Sequence, residues 1–166
     1  IMHSDDFYSD NNVLTEVSKL FENPEIDLVY GDISFFSLSD PEKVLRIYKS
    51  GEFSVERLSK GFMPAHTAMF FRKSLYEEIG MYKTDYKIAA DYEFLCRVVT
   101  SKNLRSVYLP KVMIKMQMGG VSTMGIGNSI TLNREVLRAC RENGVRTNIF
   151  KLLAKYPSKV MSFFLK

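Results

Sequence analysis

Apolar residues recur at helical spacing in Val13, Leu14, Val17, Leu20 and Phe21. This predicts a helix running to about Phe21, capped by Asp10 or Asn11 and ended by Asn23-Pro24. Asp27 to Phe36 is rich in β-branched and aromatic residues and reads as a strand, with Gly31-Asp32 placing a bulge or a ligand contact in its middle. A turn at Ser39-Asp40-Pro41 returns the chain through Lys43 to Tyr48 as a hairpin partner. Phe53 to Lys60 is a short helix opened by Ser54 and closed by Gly61. A loop carrying His66 then feeds an apolar strand through Met69, Phe70 and Phe71, and a helix from Ser74 to Ile79 stops at Gly80. A Tyr- and Lys-rich loop from Met81 to Ile88 leads to a helix from about Asp91 to Thr100.

Leu104 to Leu109 and Val112 to Met118 read as two strands separated by Pro110, and Gly119 to Thr123 as a flexible turn able to approach a ligand closely. The pattern is helical again from Gly127 to about Glu142, with Ile130, Leu132, Val136, Leu137 and Cys140 on the inner face. A last amphipathic stretch runs from about Thr147 to Phe164, divided by Pro157. Strands and helices thus alternate loosely, with one hairpin and a helical tail. The fold class this predicts is α/β, a mixed sheet with flanking helices.

Two places carry candidate chemistry. In Ala89 to Arg97, two acids and an arginine stand at helical spacing against an apolar stripe of Phe94, Leu95 and Val98, and an acid at the mouth of such a helix can serve as a general base. Arg97 follows Glu93 by four residues and reads as its ion-pair partner. Near the other end, Ser4-Asp5-Asp6 follows an apolar lead-in, and paired acids after a strand can hold a divalent cation against a phosphate. His66, beside apolar strand residues, is either a satisfied core or edge residue or a binding group.

With 166 residues, 46% hydrophobic and 25% charged, the chain matches one ordinary globular domain and neither a disordered nor a fibrous class. Cys96 and Cys140 lack metal-ligand spacing and read as reduced core thiols, which favours a cytoplasmic setting. No run is apolar enough for a signal peptide or a bilayer span. Much of the net charge of +4 collects toward the carboxyl end. That distribution suggests either an interfacial helix pair resting on an anionic membrane, or a solvated face whose apolar side packs on the domain or on a second subunit of a homo-oligomer. Nucleic acid is not an expected partner, because the basic residues form no known reader motif.

The order of signals resembles the family 2 glycosyltransferases of the GT-A fold. It comprises Ser4-Asp5-Asp6 after an apolar strand, a helix, Val29-Tyr30-Gly31-Asp32, the His66 strand, Ile79-Gly80-Met81-Tyr82, and Ala90-Asp91-Tyr92-Glu93-Phe94-Leu95-Cys96-Arg97. Among these enzymes it looks most like the bacterial ones that build capsule, exopolysaccharide or lipopolysaccharide. The resemblance implies that residues 1–125 form the acceptor-side, catalytic part of a GT-A domain, that 126–166 form a helical basic tail, and that an amino-terminal nucleotide-binding half is missing. It further implies a nucleotide-sugar donor, a saccharide or lipid-linked acceptor and a divalent cation, Mn²⁺ or Mg²⁺. Asp6 is then the metal ligand, Asp5 stands beside it near the ribose or sugar, His66 binds donor or acceptor, and Asp91 is the base of an inverting displacement. Ser4 departs from the strict Asp-x-Asp form. Ala90 stands where Glu is common, which removes one like charge beside Asp91. Two rival expectations remain: a metal-dependent phosphotransferase or hydrolase using Asp5, Asp6 and Asp91, and a non-catalytic interaction domain docking through its tail.

Overall fold

The computed structural model describes residues 5–37, 39–101, 103–118 and 126–154. Ser4, the Gly119 to Thr123 turn and the tail from Lys155 lie outside the described residues.

Strand β2 (Leu28–Ser37) is the centre of the sheet and is buried along most of its length. Its long apolar run fits a strand covered on both faces. On one edge it pairs in parallel with β5 (Ser106–Gln117), and β5 pairs antiparallel with the short β1 (Phe7–Tyr8). The other edge of β2 is shared: β4 (Met69–Phe71) pairs with Leu28 to Tyr30, and β3 (Asp40–Tyr48) pairs with Ile33 to Ser37, both antiparallel. β3 and β4 therefore follow one another along a single edge, with Gly31 and Asp32 at the junction.

Alternation along β2 sorts the core into layers. Val29 and Ile33 pack with Val13 and Val17 of α1 (Val13–Phe21) on one face. Leu28 and Tyr30 pack on the other with Leu95 and Cys96 of α4 (Ala90–Ser101) and with Val136, Ala139 and Cys140 of α5 (Ile126–Glu142). Leu58 of α2 (Val55–Ser59) and Leu152 of α6 (Ile149–Leu153) join that second cluster, so the helices after residue 126 share a core with the sheet. Helix α3 (Lys73–Ile79) closes a third cluster, in which Leu75, Phe94 and Val98 meet and the Tyr76 and Phe94 rings stack at 4.9 Å. Both cysteines are free and buried, as expected of core thiols.

The architecture is α/β with a mixed sheet flanked by helices, as the sequence predicts, and several local details differ. Strand β5 is continuous through Pro110. The pairing passes from Tyr30 opposite Tyr108 to Asp32 opposite Val112, so Pro110 sits where β5 bulges and no ladder N–H is required of it. Asn12 rather than Asp10 or Asn11 occupies the cap position of α1, while the Asp10 carboxylate accepts from the Asn12 N–H at 2.7 Å in a preceding turn. Leu14, expected in the buried stripe, is 52% exposed because α1 turns it toward an open groove shared with Phe21, Phe70 and Tyr76. Ile130 is 56% exposed rather than inward-facing: Glu135 is already level with residues 87–89, ahead of α4, so Ile130 lies past the part of α5 that α4 covers. The helix ends fall as expected, with Gly61 (φ 78°) after α2 and Gly80 (φ 90°) after α3 in backbone conformations open to glycine.

Candidate functional site

The parallel strands β2 and β5 run side by side to Phe36 and Gln117, and the crevice at their carboxyl ends is the usual place for a ligand in an open α/β sheet. A cavity of about 330 Å³ opens there. Ile33 and Phe35 of β2 and Met116 and Gln117 of β5 form its floor, Arg46 and Tyr48 of β3 one wall, and Met63 to Thr67 with Asp91 the other.

His66 reaches this cavity because of the shared edge of β2. The chain crosses from β3 to β4 through residues 49–68, and its return is pinned to the end of β3. Tyr48 donates to the Met63 carbonyl at 2.8 Å, and the Ala65 N–H donates to Ser50 Oγ at 3.2 Å. A single 3₁₀ turn, His66–Ala68, then leads into β4, and Thr67 Oγ1 lies 3.3 Å from Met116 Sδ across the floor.

Asp91 arrives from the opposite side, in the first turn of α4 at the positive end of the helix dipole. Its Oδ1 accepts from the Tyr92 N–H at 2.8 Å, and its Oδ2 lies 3.4 Å from His66 Nδ1. Both side chains are 28% exposed, so each touches solvent without being fully bathed in it. Burial, then the Tyr76 hydroxyl, and finally the charge of Asp91 push the Tyr82 phenol well above its ordinary range, so a neutral phenol stands near the carboxylate.

The acids expected to serve a metal, Asp5 and Asp6, are not among the residues that line the cavity. Asp5 is exposed and Asp6 buried, just ahead of β1. The pairing of Phe7 with Lys115 brings the chain from Asp6 in at the level of Met116, on the cavity floor. Among the described residues no three His, Cys, Asp or Glu side chains gather as a cation cage. One or two carboxylates completed by phosphate oxygens is a donor set that Mg²⁺-like ions accept, and Asp5 and Asp6 are of that residue type.

Asp32 is not in the cavity. It is buried at the β2 bulge, accepting from the Ser50 N–H at 2.9 Å and the Tyr108 hydroxyl at 2.8 Å, and it has a structural task. Glu93 is likewise structural, fully buried and held by Arg97 and Lys83, both at 3.0 Å. Sequence reasoning missed Arg46, Tyr48, Met63 and Gln117 as residues that line the cavity. The hairpin it placed correctly, but which residues of β5 face the cavity depends on the bulge opposite Tyr30 to Ile33, of which Gly31-Asp32 is the sign in β2.

Among family models, none matches the chain. Over 119 residues it is 28% identical to a "PGL/p-HBAD biosynthesis glycosyltransferase" of Mycobacterium bovis (strain BCG / Pasteur 1173P2) and to one of the same description from Mycobacterium tuberculosis (strain ATCC 25177 / H37Ra). The aligned stretch is 71% of this chain and spans 44% of the length of those relatives. No helix among the described residues is long and apolar enough to cross a membrane.

Proposed function

We propose that this chain belongs to an inverting glycosyltransferase that moves a sugar from a nucleotide-sugar donor to a saccharide or lipid-linked acceptor in bacterial surface polysaccharide assembly. The observation that carries the reading is the convergence of Asp91 and His66 at the carboxyl ends of two parallel strands. The likeness to proteins named as glycosyltransferases supports it.

In this reading an acceptor hydroxyl lies against Asp91 Oδ2. As its oxygen attacks the anomeric carbon, its proton passes to the carboxylate, the new C–O bond forms on one face, and the bond to the diphosphate breaks on the other. The diphosphate leaves with the bonding electron pair, and the anomeric centre inverts. His66 orients the carboxylate and hydrogen-bonds a sugar, while the apolar walls of Phe35, Tyr48 and Met63 exclude water. Asp6, with Asp5, would hold a divalent cation, which when bound stabilises charge on the departing diphosphate.

The test uses the protein translated from its complete reading frame, assayed for sugar transfer from UDP- and GDP-sugars with Mn²⁺. Asp91→Asn is expected to abolish transfer while nucleotide binding persists, and Asp6→Ala to abolish Mn²⁺-dependent nucleotide binding. Undiminished transfer by Asp91→Asn, or phosphoester hydrolysis without any sugar acceptor, overturns the reading.

A further inference from the structure

Helix α4 begins at Ala90 behind Ala89, and neither residue offers a side chain to cap the N–H groups that an α-helix leaves without internal partners. A residue from a different helix instead holds the backbone just ahead of it. Glu135 of α5 accepts from the Lys87 N–H through Oε1 at 2.8 Å, and from the Ile88 and Ala89 N–H groups through Oε2, both at 2.9 Å. Ala89 in turn accepts the first helical bond, from the Glu93 N–H at 2.9 Å, so the amides fixed by Glu135 lead straight into the turn that bears Asp91. Burial pushes the Glu135 carboxyl up, but the amide bonds outweigh it and hold it below the ordinary range, as expected of an ionised acceptor of several N–H groups.

We propose that Glu135 is a positioning residue for the Asp91 base: it fixes the backbone of residues 87–89, and so the place in the crevice from which the Asp91 carboxylate meets an acceptor hydroxyl. The assignment rests on the function proposed above. Its force comes from geometry, since a misplacement of about 1 Å in a reacting group can cost roughly a hundredfold in rate. The rest of the loop is tied down separately. Lys83 meets Glu142 at 2.9 Å, and Arg138 holds Asp85 and meets Glu142 at 2.7 Å, so the same helix carries a built-in control.

The experiment compares Glu135→Gln and Glu142→Gln in the full-length protein, reading kcat and the donor and acceptor KM for transfer together with amide hydrogen exchange at residues 87–89. For Glu135→Gln, kcat is expected to fall about tenfold or more with donor KM nearly unchanged and with faster exchange at Ile88 and Ala89, whereas Glu142→Gln keeps its kcat within about twofold. If circular dichroism shows that Glu135→Gln does not fold, Glu135→Asp, which keeps the charge but withdraws it, is read in its place with the same expectation. A kcat retained by the folded variant, or an equal loss in Glu142→Gln, overturns this assignment alone. Absence of transfer by the unaltered protein overturns the proposed function and the assignment together.

Discussion

Helix α4 has two flanks, and they treat acid differently. At its amino end Asp91 opens into the crevice, with one oxygen toward His66 and the other on a neighbouring amide. On the flank facing α5 and the loop before α4, Glu93 is sealed from solvent with Arg97 and Lys83 closed around it, and Lys83 passes the pairing on to Glu142 and Arg138. Two acids in one helical turn thus have opposite employments. The buried one is saturated, so it can fix a shape but has nothing left to offer a substrate. The other retains contact with solvent and with an apolar-walled cavity, which is the environment a proton acceptor needs. Density of charge therefore marks the scaffold here, and its sparing use marks the candidate site. Size misleads in the same way. The groove between α1 and α3, about 1150 Å³ and largely apolar, is the larger concavity, yet neither Asp91 nor His66 lines it.

The largest expected effect separates the two acids. Asp91→Asn should lower transfer by roughly 10²- to 10⁴-fold, the usual worth of a general base, and leave the melting temperature almost unchanged. Glu93→Gln should do the reverse. It leaves Arg97 without its buried carboxylate, and breaking one partner of a buried pair costs about 3 kcal/mol, read as a shifted denaturant midpoint. A stability loss in Asp91→Asn as large as that in Glu93→Gln would erase the contrast.

Much of this was legible in the sequence because it rests on local rules. The α4 segment announces itself by spacing, Ser54 caps α2 by accepting from the Arg57 N–H at 3.2 Å, and β2 reads as a strand from composition. Arg97 was correctly read as the partner of Glu93 for the same reason, since four residues on a helix make neighbours. What was not legible is set by contacts far apart in the chain. Nothing local in the sequence marks Glu135, and only the packing of α5 on α4 brings it to the amides of residues 87–89. Which residues of β5 reach the cavity floor depends on a bulge opposite Gly31 and Asp32, which shifts the phase of the strand beyond it.

That bulge gives the next smaller effect. A methyl group on Gly31 would lie 2.5 Å from Met113 Cγ and 3.1 Å from the Lys111 carbonyl oxygen, so Gly31→Ala is expected to crowd β2 against β5 beneath the crevice. The expected cost is about 1–3 kcal/mol, with transfer falling less than in Asp91→Asn. Thermal unfolding alongside the transfer assay checks both parts. A variant as stable as the parent would mean that Met113 simply swings aside and that the strand spacing does not depend on glycine.

The smallest effect is a dependence on pH on the scaffold flank. Hydrogen bonding to Lys83 first, then to Arg138, holds the Glu142 carboxyl down at about 2, against an ordinary value of 4.5. A carboxyl whose folded value is depressed adds stability that is fully present above its unfolded value and is lost as protons bind. The contribution of Glu142 should therefore be complete above pH 4.5 and drain away as pH falls toward about 2. Melting temperature followed across that window should fall less steeply for Glu142→Gln than for the parent. Because the Glu142 side chain is 34% exposed, added salt should shrink the difference between the two slopes. A slope that Glu142→Gln leaves untouched would place the acid sensitivity elsewhere and remove Glu142 from the set of charges that hold the loop before α4.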